Sequence, residues 1–290
     1  MSQILATLKG VVASILLAVN TLVFFSAMMP FALVKLILRK PVILRPMDRA
    51  LNGLAQSWVE MNGVWIAMMQ TIDWRITGTD SLQNGRWYLV SSNHQTWVDI
   101  LVLQKVFARR IPFLKFFLKR ELMYVPVMGL AWWALDFPFM RRSGGGRDFS
   151  KDLAATKKSC ERFRMIPTSV INFLEGTRTT AAKHAAQQSP YKHLLKPKVG
   201  GLAMALAVMG PQFSSYLDVT IVYPAGIPTF WDLLCGRVRQ IVVDVREVSI
   251  PESLATGSYA NDASYRRELQ GWVQGMWEEK DRFIDSVLHP

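Results

Sequence analysis

An uncharged apolar run near the start of the chain constrains its fold more than any other feature. No residue from Val11 to Val34 carries a charge, and these 24 positions exceed the roughly 20 residues that a helix needs to cross a bilayer. A cleaved signal peptide is the main alternative, but its apolar core covers only about 7 to 15 residues. The run therefore predicts a membrane anchor over residues 1–45 and a separate domain over residues 46–290.

Pro30 leaves the form of this anchor open. A proline inside a helix removes one hydrogen bond and biases the preceding residue, here Met29, away from helical geometry. The run is therefore either a single span or a shallow hairpin with segments at Leu8 to Met28 and Phe31 to Leu38. Apolar residues at helical spacing between Ala50 and Gln70 predict another helix after it.

Basic residues around the run predict its orientation. Lys9 is the single basic residue that precedes it, whereas five follow closely: Lys35, Arg39, Lys40, Arg45 and Arg49. Cytoplasmic flanks of membrane helices carry the excess of lysine and arginine. We therefore expect a membrane protein whose domain faces the cytosol, which in a bacterium is the inner face of the inner membrane.

Charge and cysteine content narrow the classes of function. The formal net charge is +12, which favours an anionic partner such as a lipid surface, a coenzyme thioester or nucleic acid. Cys160 and Cys235 are the two cysteines of the chain, so the sequence offers neither a disulfide framework nor a paired-cysteine zinc site. Two reduced thiols agree with a domain in the cytosol.

The segment Asn93 to Asp99 places a histidine and a carboxylate where they can act together. Arg86 to Ser91 is predicted as a strand, and Trp97 to Gln104 can form a helix, so His94 falls in the turn between them. The carboxylate of Asp99 can then fix the imidazole tautomer and leave the other nitrogen to take a proton from a hydroxyl. A histidine that simply caps a turn is the alternative that this spacing leaves open.

A second polar segment follows the strand predicted over Thr168 to Asn172. Phe173 to Arg178 contains a carboxylate, a glycine that permits tight backbone geometry, a hydroxyl and a guanidinium fork suited to phosphate. In isolation, a turn with a surface arginine explains this segment as well. Its occurrence downstream of the His94 and Asp99 pair favours a functional site.

Together these segments resemble the glycerolipid acyltransferase superfamily, which includes 1-acylglycerol-3-phosphate acyltransferases, and in particular its bacterial and lysocardiolipin-acyltransferase-like branch. The first family block, Asn-His-x4-Asp, is similar to Asn93 to Asp99. The second, an aromatic-rich stretch that ends in arginine, is similar to Phe137 to Arg142. The third, Phe-Pro-Glu-Gly-Thr-Arg, is similar to Phe173 to Arg178. The fourth, an apolar strand that ends at a proline, is similar to Thr220 to Pro224.

The resemblance covers about half of the chain, residues 86–227, and has two departures. Leu174 stands where the family usually has a proline. Ala225 and Gly226 follow Pro224, where small β-branched residues are common. Neither departure removes a reactive group, so both bear on substrate preference.

The resemblance implies roles for individual residues. His94 would act as the general base and Asp99 would orient it, with no metal and no covalent enzyme intermediate. The implied substrate-binding residues are Arg142, Glu175, Gly176, Thr177, Arg178 and Lys119. Lys119 could equally belong to a solvated basic helix end. No cofactor is expected; acyl-CoA or acyl carrier protein would be the co-substrate and a lysophospholipid the acceptor.

We expect an α/β fold with a mixed central sheet flanked by helices, and an N-terminal membrane helix or helical hairpin. Strands are predicted over Val219 to Tyr223 and Gln240 to Val248, and a C-terminal helix over about Tyr265 to Val287. The alternative function is a membrane-tethered inactive relative, or a protein that binds anionic lipid or nucleic acid. No basic motif interleaved with aromatic residues is visible, so a nucleic-acid partner is not expected.

Overall fold

A six-stranded sheet lies at the centre of the protein. The computed structural model describes residues 3–38, 40–116, 118–125, 128–137, 139–140, 167–257, 259 and 262–290. The strands of the sheet are β1 (Asp73–Thr77), β2 (Tyr88–Ser92), β3 (Leu114–Phe116), β6 (Ser169–Phe173), β7 (Ser215–Val222) and β8 (Gln240–Val248). A separate parallel pair consists of β4 (Leu118–Lys119) and β5 (Phe139–Met140). The sheet order is β1-β8-β7-β2-β6-β3, in which β7 and β8 are antiparallel and the other neighbours are parallel.

Helices flank both faces of this sheet. In chain order they are α1 (Gln3–Ile37), α2 (Pro41–Met69), α3 (Val98–Phe107), α4 (Met128–Ala134), α5 (Ala181–Gln187), α6 (Gly200–Met209), α7 (Phe230–Leu234), α8 (Glu252–Thr256) and α9 (Ala263–Leu288). Short 3-10 turns cover Arg120–Tyr124 and Gly210–Gln212. The prediction of a mixed α/β fold flanked by helices is confirmed.

The core has two layers, one on each face of the sheet, because successive side chains along a strand point to opposite faces. In the fully buried β2, Tyr88 and Val90 pack with residues of α3, whereas Leu89 packs with residues of α6 and α9. Successive side chains of a strand point to opposite faces, so a strand covered on both faces reads as a continuous apolar run. This arrangement explains why every residue of β2 and β7, the central strands, is buried.

The two N-terminal helices form an antiparallel hairpin. Near the middle of α1, Asn20 Nδ2 donates to Asn62 Oδ1 at 2.8 Å. Near the turn that joins the two helices, Lys35 Nζ lies 2.7 Å from Asp48 Oδ1. Pro30 lies inside α1 without ending it, so the alternative of two separate segments is wrong. Packing along α2 and the domain offsets the cost of one proline, about 3 kcal/mol. The boundary that we expect after residue 45 falls within α2, and the division into anchor and domain stays a prediction.

The inner and outer faces of α1 differ sharply in burial. Ala13 packs in the layer that contains Tyr223 and Leu233, and Met28 packs in a third cluster with residues of α2 and α4. The opposite face exposes large apolar side chains: Ile4, Leu8, Val12, Ile15, Val19 and Val23. Among the described residues, α1 is the one helix long and apolar enough to cross a membrane by length and composition.

Candidate active site

Asn93 fixes the point at which the chain leaves β2. Its side chain is fully buried; Nδ2 donates to the carbonyl of Ile221 at 2.8 Å, and Oδ1 accepts from the amide of the same residue at 2.9 Å. The amide side chain thus pairs with the β7 backbone as a further strand residue would. Because this pairing extends the sheet past Ser92, the residue that follows Asn93 starts from a rigid position.

His94 lies in the predicted turn between β2 and α3, and its ring contacts Asp99. His94 Nδ1 is 2.9 Å from Asp99 Oδ2, and the same oxygen accepts the amides of Gln95 at 2.6 Å and Thr96 at 2.9 Å. Asp99 is fully buried in the first turn of α3, where a carboxylate interacts favourably with the helix dipole. When Nδ1 donates to this carboxylate, Nε2 carries the lone pair that can accept a proton.

Neighbouring groups hold the His94 ring and backbone in place. The ring stacks on Phe173 with centroids 4.0 Å apart and planes 13° apart. The His94 carbonyl accepts the Thr179 amide at 2.7 Å. The side chain is 13% exposed, and within the described part of the chain Nε2 has no hydrogen-bond partner. Because His94 lines a cavity, Nε2 is available to a ligand.

Tyr223 makes a contact to Asp99 that sequence reasoning missed. Its hydroxyl donates to Asp99 Oδ1 at 2.7 Å, and the side chain is buried at the end of β7. Burial, together with the Asp99 carboxylate, holds the pKa of Tyr223 well above its usual value. The phenol therefore remains a donor at physiological pH. In the sequence, Tyr223 is marked only as an apolar position of the fourth family block at the end of a predicted strand.

Glu175 braces the His94 turn from the adjacent strand. The carboxylate is fully buried; Oε1 accepts the His94 amide at 2.9 Å, and Oε2 accepts the Leu195 amide at 3.2 Å and the Thr179 hydroxyl. Burial raises the pKa of Glu175, while these three donors and the nearby His94 act in the opposite direction. The side chain thus joins the loops after β2 and β6.

Gly176, Thr177 and Arg178 turn outward and line a cavity. Gly176 has a φ of +67°, a conformation that favours glycine. Thr177 Oγ1 accepts from Lys183 Nζ at 2.6 Å; Lys183 is a cation that the sequence analysis did not single out. The guanidinium of Arg178 lies 5.0 Å from the ring centroid of Trp97, at the distance of a cation–π contact.

The cavity next to His94 has a volume of about 600 Å³, within the range of roughly 300–1,000 Å³ that is usual for small-molecule sites. His94, Gly176, Thr177 and Arg178 form one part of its wall. The remainder is mainly apolar and comes from both N-terminal helices, α3, α4 and the strands beside them: Phe24, Phe25, Met28, Ala55, Trp58, Trp97, Ile100, Phe113, Phe116, Leu118, Leu122, Met128, Ala131, Trp132, Leu135, Phe137, Ile171 and Phe173. The arrangement presents a basic nitrogen to a space suited to a long apolar group.

Two sequence-predicted residues do not enter this description. Arg142 lies outside the described residues. Lys119 ends β4, and its proximity to bound phosphate stays a prediction.

Leu174, which replaces the usual proline of the third family block, is buried in the layer under α6, and its carbonyl accepts the Lys198 amide at 2.7 Å. Among the described residues, no three His, Cys, Asp or Glu side chains are grouped as metal ligands.

A histidine–aspartate pair that faces an apolar cavity at the carboxyl ends of the strands is suited to take a proton from a hydroxyl of an apolar substrate. The family model described as acyltransferase matches residues 73–227, which is more than half of the chain. The protein belongs to this family, within the glycerolipid acyltransferase superfamily.

Three curated relatives are each 25% identical to this chain. They are 1-acyl-sn-glycerol-3-phosphate acyltransferase 3 of Arabidopsis thaliana over 85% of this chain and 68% of the relative, 1-acyl-sn-glycerol-3-phosphate acyltransferase delta of Mus musculus over 68% and 52%, and lysocardiolipin acyltransferase 1 of Gallus gallus over 79% and 61%. The chain thus spans about half to two thirds of the length of these relatives.

One solved structure is similar along nearly the whole chain. The crystal structure of the 1-acyl-sn-glycerophosphate acyltransferase PlsC from Thermotoga maritima aligns with a TM-score of 0.55 and covers 97% of this chain and 98% of its own. Sequence identity is 15%, so this likeness shows a shared fold alone. The shared fold includes the N-terminal helices, because the alignment covers them.

Proposed function

We propose that the protein transfers a fatty acyl chain from an acyl thioester to the free hydroxyl of a lysophospholipid. The acceptor is 1-acylglycerol-3-phosphate, and the donor is acyl-CoA or acyl carrier protein. The names of the Arabidopsis and mouse relatives support this acceptor. The observation that carries the proposal is the hydrogen bond between His94 and Asp99 at the wall of an apolar cavity.

In the proposed reaction His94 Nε2 takes the proton of the acceptor hydroxyl as its oxygen attacks the thioester carbonyl. The buried Asp99 carboxylate stabilises the imidazolium that forms. Collapse of the tetrahedral intermediate breaks the carbon–sulfur bond, and the thiolate leaves with the proton from the imidazolium. The products are a new ester and a free thiol, and neither a resident cofactor nor a covalent enzyme intermediate takes part.

The cavity wall divides the substrate-binding roles by chemistry. The aromatic and aliphatic side chains from α1, α2 and α4 hold the acyl chain, since burial of each methylene is worth about 0.8 kcal/mol. Arg178 is exposed at the polar part of the wall, where its guanidinium can bind phosphate oxygens in a bidentate manner. Glu175 acts on the position of His94 and not on the acceptor, because its carboxylate is fully buried behind the cavity wall and accepts three protein donors.

The N-terminal hairpin holds the protein against a lipid bilayer, with the domain on the cytosolic side. The exposed apolar face of α1 and the basic residues after it support this location. The inner face of α1 packs against α2 and the domain. That packing favours a helix that lies along the domain with its outer face in lipid over a helix that projects away across the bilayer.

Transfer of a labelled acyl group by the purified, detergent-solubilised protein tests the proposal. Acyl-CoA and acyl carrier protein are offered as donors to a panel of lysolipids, and both labelled product and free thiol are measured. We expect thiol release only when a lysolipid is present, with 1-acylglycerol-3-phosphate preferred. A protein that binds lysolipids without releasing thiol from any donor is a binding module, and the proposed function is then wrong.

The base is tested by His94→Ala, which should lower transfer by at least about 10². His289→Ala is the matched control, because this histidine is exposed at the end of α9. Asp99→Asn should also be severe, since an amide at this position favours the wrong imidazole tautomer. A folded His94→Ala protein that keeps near-normal transfer would exclude His94 as the base.

A further inference from the structure

Tyr223 is the outermost member of a chain of three side chains that ends at the proposed base. Its hydroxyl donates to Asp99 Oδ1 at 2.7 Å, and Asp99 Oδ2 contacts His94 Nδ1 at 2.9 Å. The three residues come from three different elements, the end of β7, the start of α3 and the loop after β2. The fourth family block requires only an apolar strand before its proline, and a phenylalanine would satisfy that pattern.

We propose that Tyr223 is a positioning residue that sets the pH range over which His94 works as a base, by donating a hydrogen bond to Asp99. The inference rests on the proposed function, because it needs His94 to be the base. A hydrogen bond to a carboxylate reduces the negative charge that the carboxylate presents to its other partner. Tyr223 therefore weakens the hold of Asp99 on the imidazolium and lowers the pH at which His94 becomes free to accept a proton.

The surroundings of His94 favour control through this one hydrogen bond. Within the described part of the chain, the titratable or charged groups nearest the ring come from α3, the end of β7, the loop after β6, α5 and the loop after α5: Asp99, Tyr223, Glu175, Arg178, Lys183 and Lys198. Helices α1, α2 and α4 contribute only uncharged side chains to the cavity wall.

Asp99 itself has few other ways to disperse its charge. Oδ2 is shared among the His94 ring and two backbone amides, whereas Tyr223 is the one hydrogen-bond donor to Oδ1 in the described part of the chain. Asp99 is fully buried, so water does not replace a lost donor at that oxygen. Burial also keeps the pKa of the phenol well above its usual value, and the donor persists across the pH range of an assay.

Tyr223→Phe removes the donor and keeps the ring, so packing is nearly conserved. The pH dependence of kcat/KM for acyl transfer reports the pKa of the base in the free enzyme. With the full charge of Asp99 acting on the imidazolium, the acid limb of the profile should move to higher pH by roughly half a unit to one unit. The plateau at high pH should fall little, because a base of higher pKa accepts a proton more readily.

Tyr265→Phe is the matched control. Tyr265 is buried, and its hydroxyl donates to the Leu254 carbonyl at 2.9 Å, away from the site. This variant loses the same kind of hydrogen bond, so it should leave the acid limb where it is in the wild-type protein. A limb that moves equally in both variants would mean that the shift reflects general destabilisation, and the proposal would be wrong.

A second measurement reverses the expected direction of the shift in the acid limb and does not depend on the folding of Tyr223→Phe. Replacement of all tyrosines by 3-fluorotyrosine makes each phenol a stronger donor, so the acid limb should move to lower pH. The shift should persist in fluorinated Tyr265→Phe and vanish in fluorinated Tyr223→Phe. Should Tyr223→Phe fail to fold, the fluorinated wild-type and Tyr265→Phe proteins still decide, because an unmoved limb in both would overturn the proposal.

Failure of this inference differs from failure of the proposed function. If Tyr223 only holds β7 against α3, Tyr223→Phe lowers the plateau and thermal stability while the acid limb stays in place. In that case His94→Ala still abolishes transfer, and the proposed function stands. If the wild-type protein transfers no acyl group, both the function and this inference are wrong. If His94→Ala keeps near-normal transfer, His94 is not the base and this inference is wrong, whereas the acyl transfer itself stands.

Discussion

Replacement of Glu175 by glutamine distinguishes a structural role, in which Glu175 holds the His94 turn in place, from a role in binding the acceptor. The carboxylate accepts the amides of His94 and Leu195 and the Thr179 hydroxyl. Glutamine offers one oxygen, so its NH₂ group must face at least one of these donors. The variant loses a hydrogen bond to a charged group, which costs roughly 1.5–3 kcal/mol, and leaves a buried N–H unsatisfied, which costs roughly 1–3 kcal/mol. These two costs are partly offset because the variant no longer buries a charge. We expect Glu175→Gln to lower the free energy of unfolding by about 2–4 kcal/mol.

The pH dependence of this difference has a defined sign. Burial raises the pKa of Glu175 in the folded protein above the ordinary value of 4.5. A carboxyl group whose pKa is raised by folding contributes stability below its unfolded pKa, and this contribution is lost as pH rises through the folded pKa. Glutamine does not titrate. The stability difference between wild type and Glu175→Gln should therefore narrow as pH rises from below 4.5 towards neutrality.

Chemical denaturation in detergent, followed by tryptophan fluorescence at several pH values, measures both quantities. Glu278→Gln is the control, since Glu278 is exposed on α9 and should change stability by less than about 0.5 kcal/mol. Acyl transfer is measured in parallel. If Glu175→Gln keeps wild-type stability but raises KM for the lysolipid acceptor, Glu175 binds the acceptor and the brace described above is wrong.

Two further substitutions test the cavity and the hairpin. Ala131→Leu adds bulk to the cavity wall and should favour shorter acyl donors in a competition assay. Each methylene that is displaced should lower kcat/KM about fourfold, which corresponds to about 0.8 kcal/mol. An unchanged chain-length profile would show that the acyl chain lies elsewhere. Lys35→Met leaves Asp48 and Asp136 without their shared cation and should lower stability by roughly 3–5 kcal/mol in denaturation. The exposed Lys40→Met serves as its control, and equal stability of the two variants would contradict the buried ion pairs.

Local patterns were sufficient to predict the elements that carry the site. The strand before His94 was expected over Arg86 to Ser91 and is observed over Tyr88–Ser92, because apolar and β-branched residues suit a strand buried on both faces. The second helix was expected to begin near Ala50 but begins at Pro41. Proline is well tolerated in the first turn of a helix, where its missing N–H has no intrahelical partner. Pro41 is therefore the residue in the sequence that marks the start of this helix.

The sequence could not predict which groups the buried carboxylates contact, because these partners lie far away along the chain. Asp99 and Glu175 are both carboxylates within matched family blocks, and the sequence predicts that Asp99 orients His94 whereas Glu175 binds the substrate. In the structure Asp99 binds the His94 ring, whereas Glu175 binds the His94 backbone. A motif fixes the type of a side chain and its place along the chain, but the direction in which it points depends on partners that lie far away, here the loop residues Thr179 and Leu195.

The sheet topology explains why the site residues are spread so widely along the sequence. Strands β2, β6 and β7 are parallel neighbours, so the residues after each strand emerge at the same edge. His94 follows β2, Glu175 follows β6 and Tyr223 follows β7. Because the register of the strands fixes these positions, the connecting segments can vary in length without moving the site. The order of the blocks and their placement at strand ends are therefore the informative features, and the tyrosine at the end of β7 belongs with the site even though the fourth block asks only for an apolar residue there.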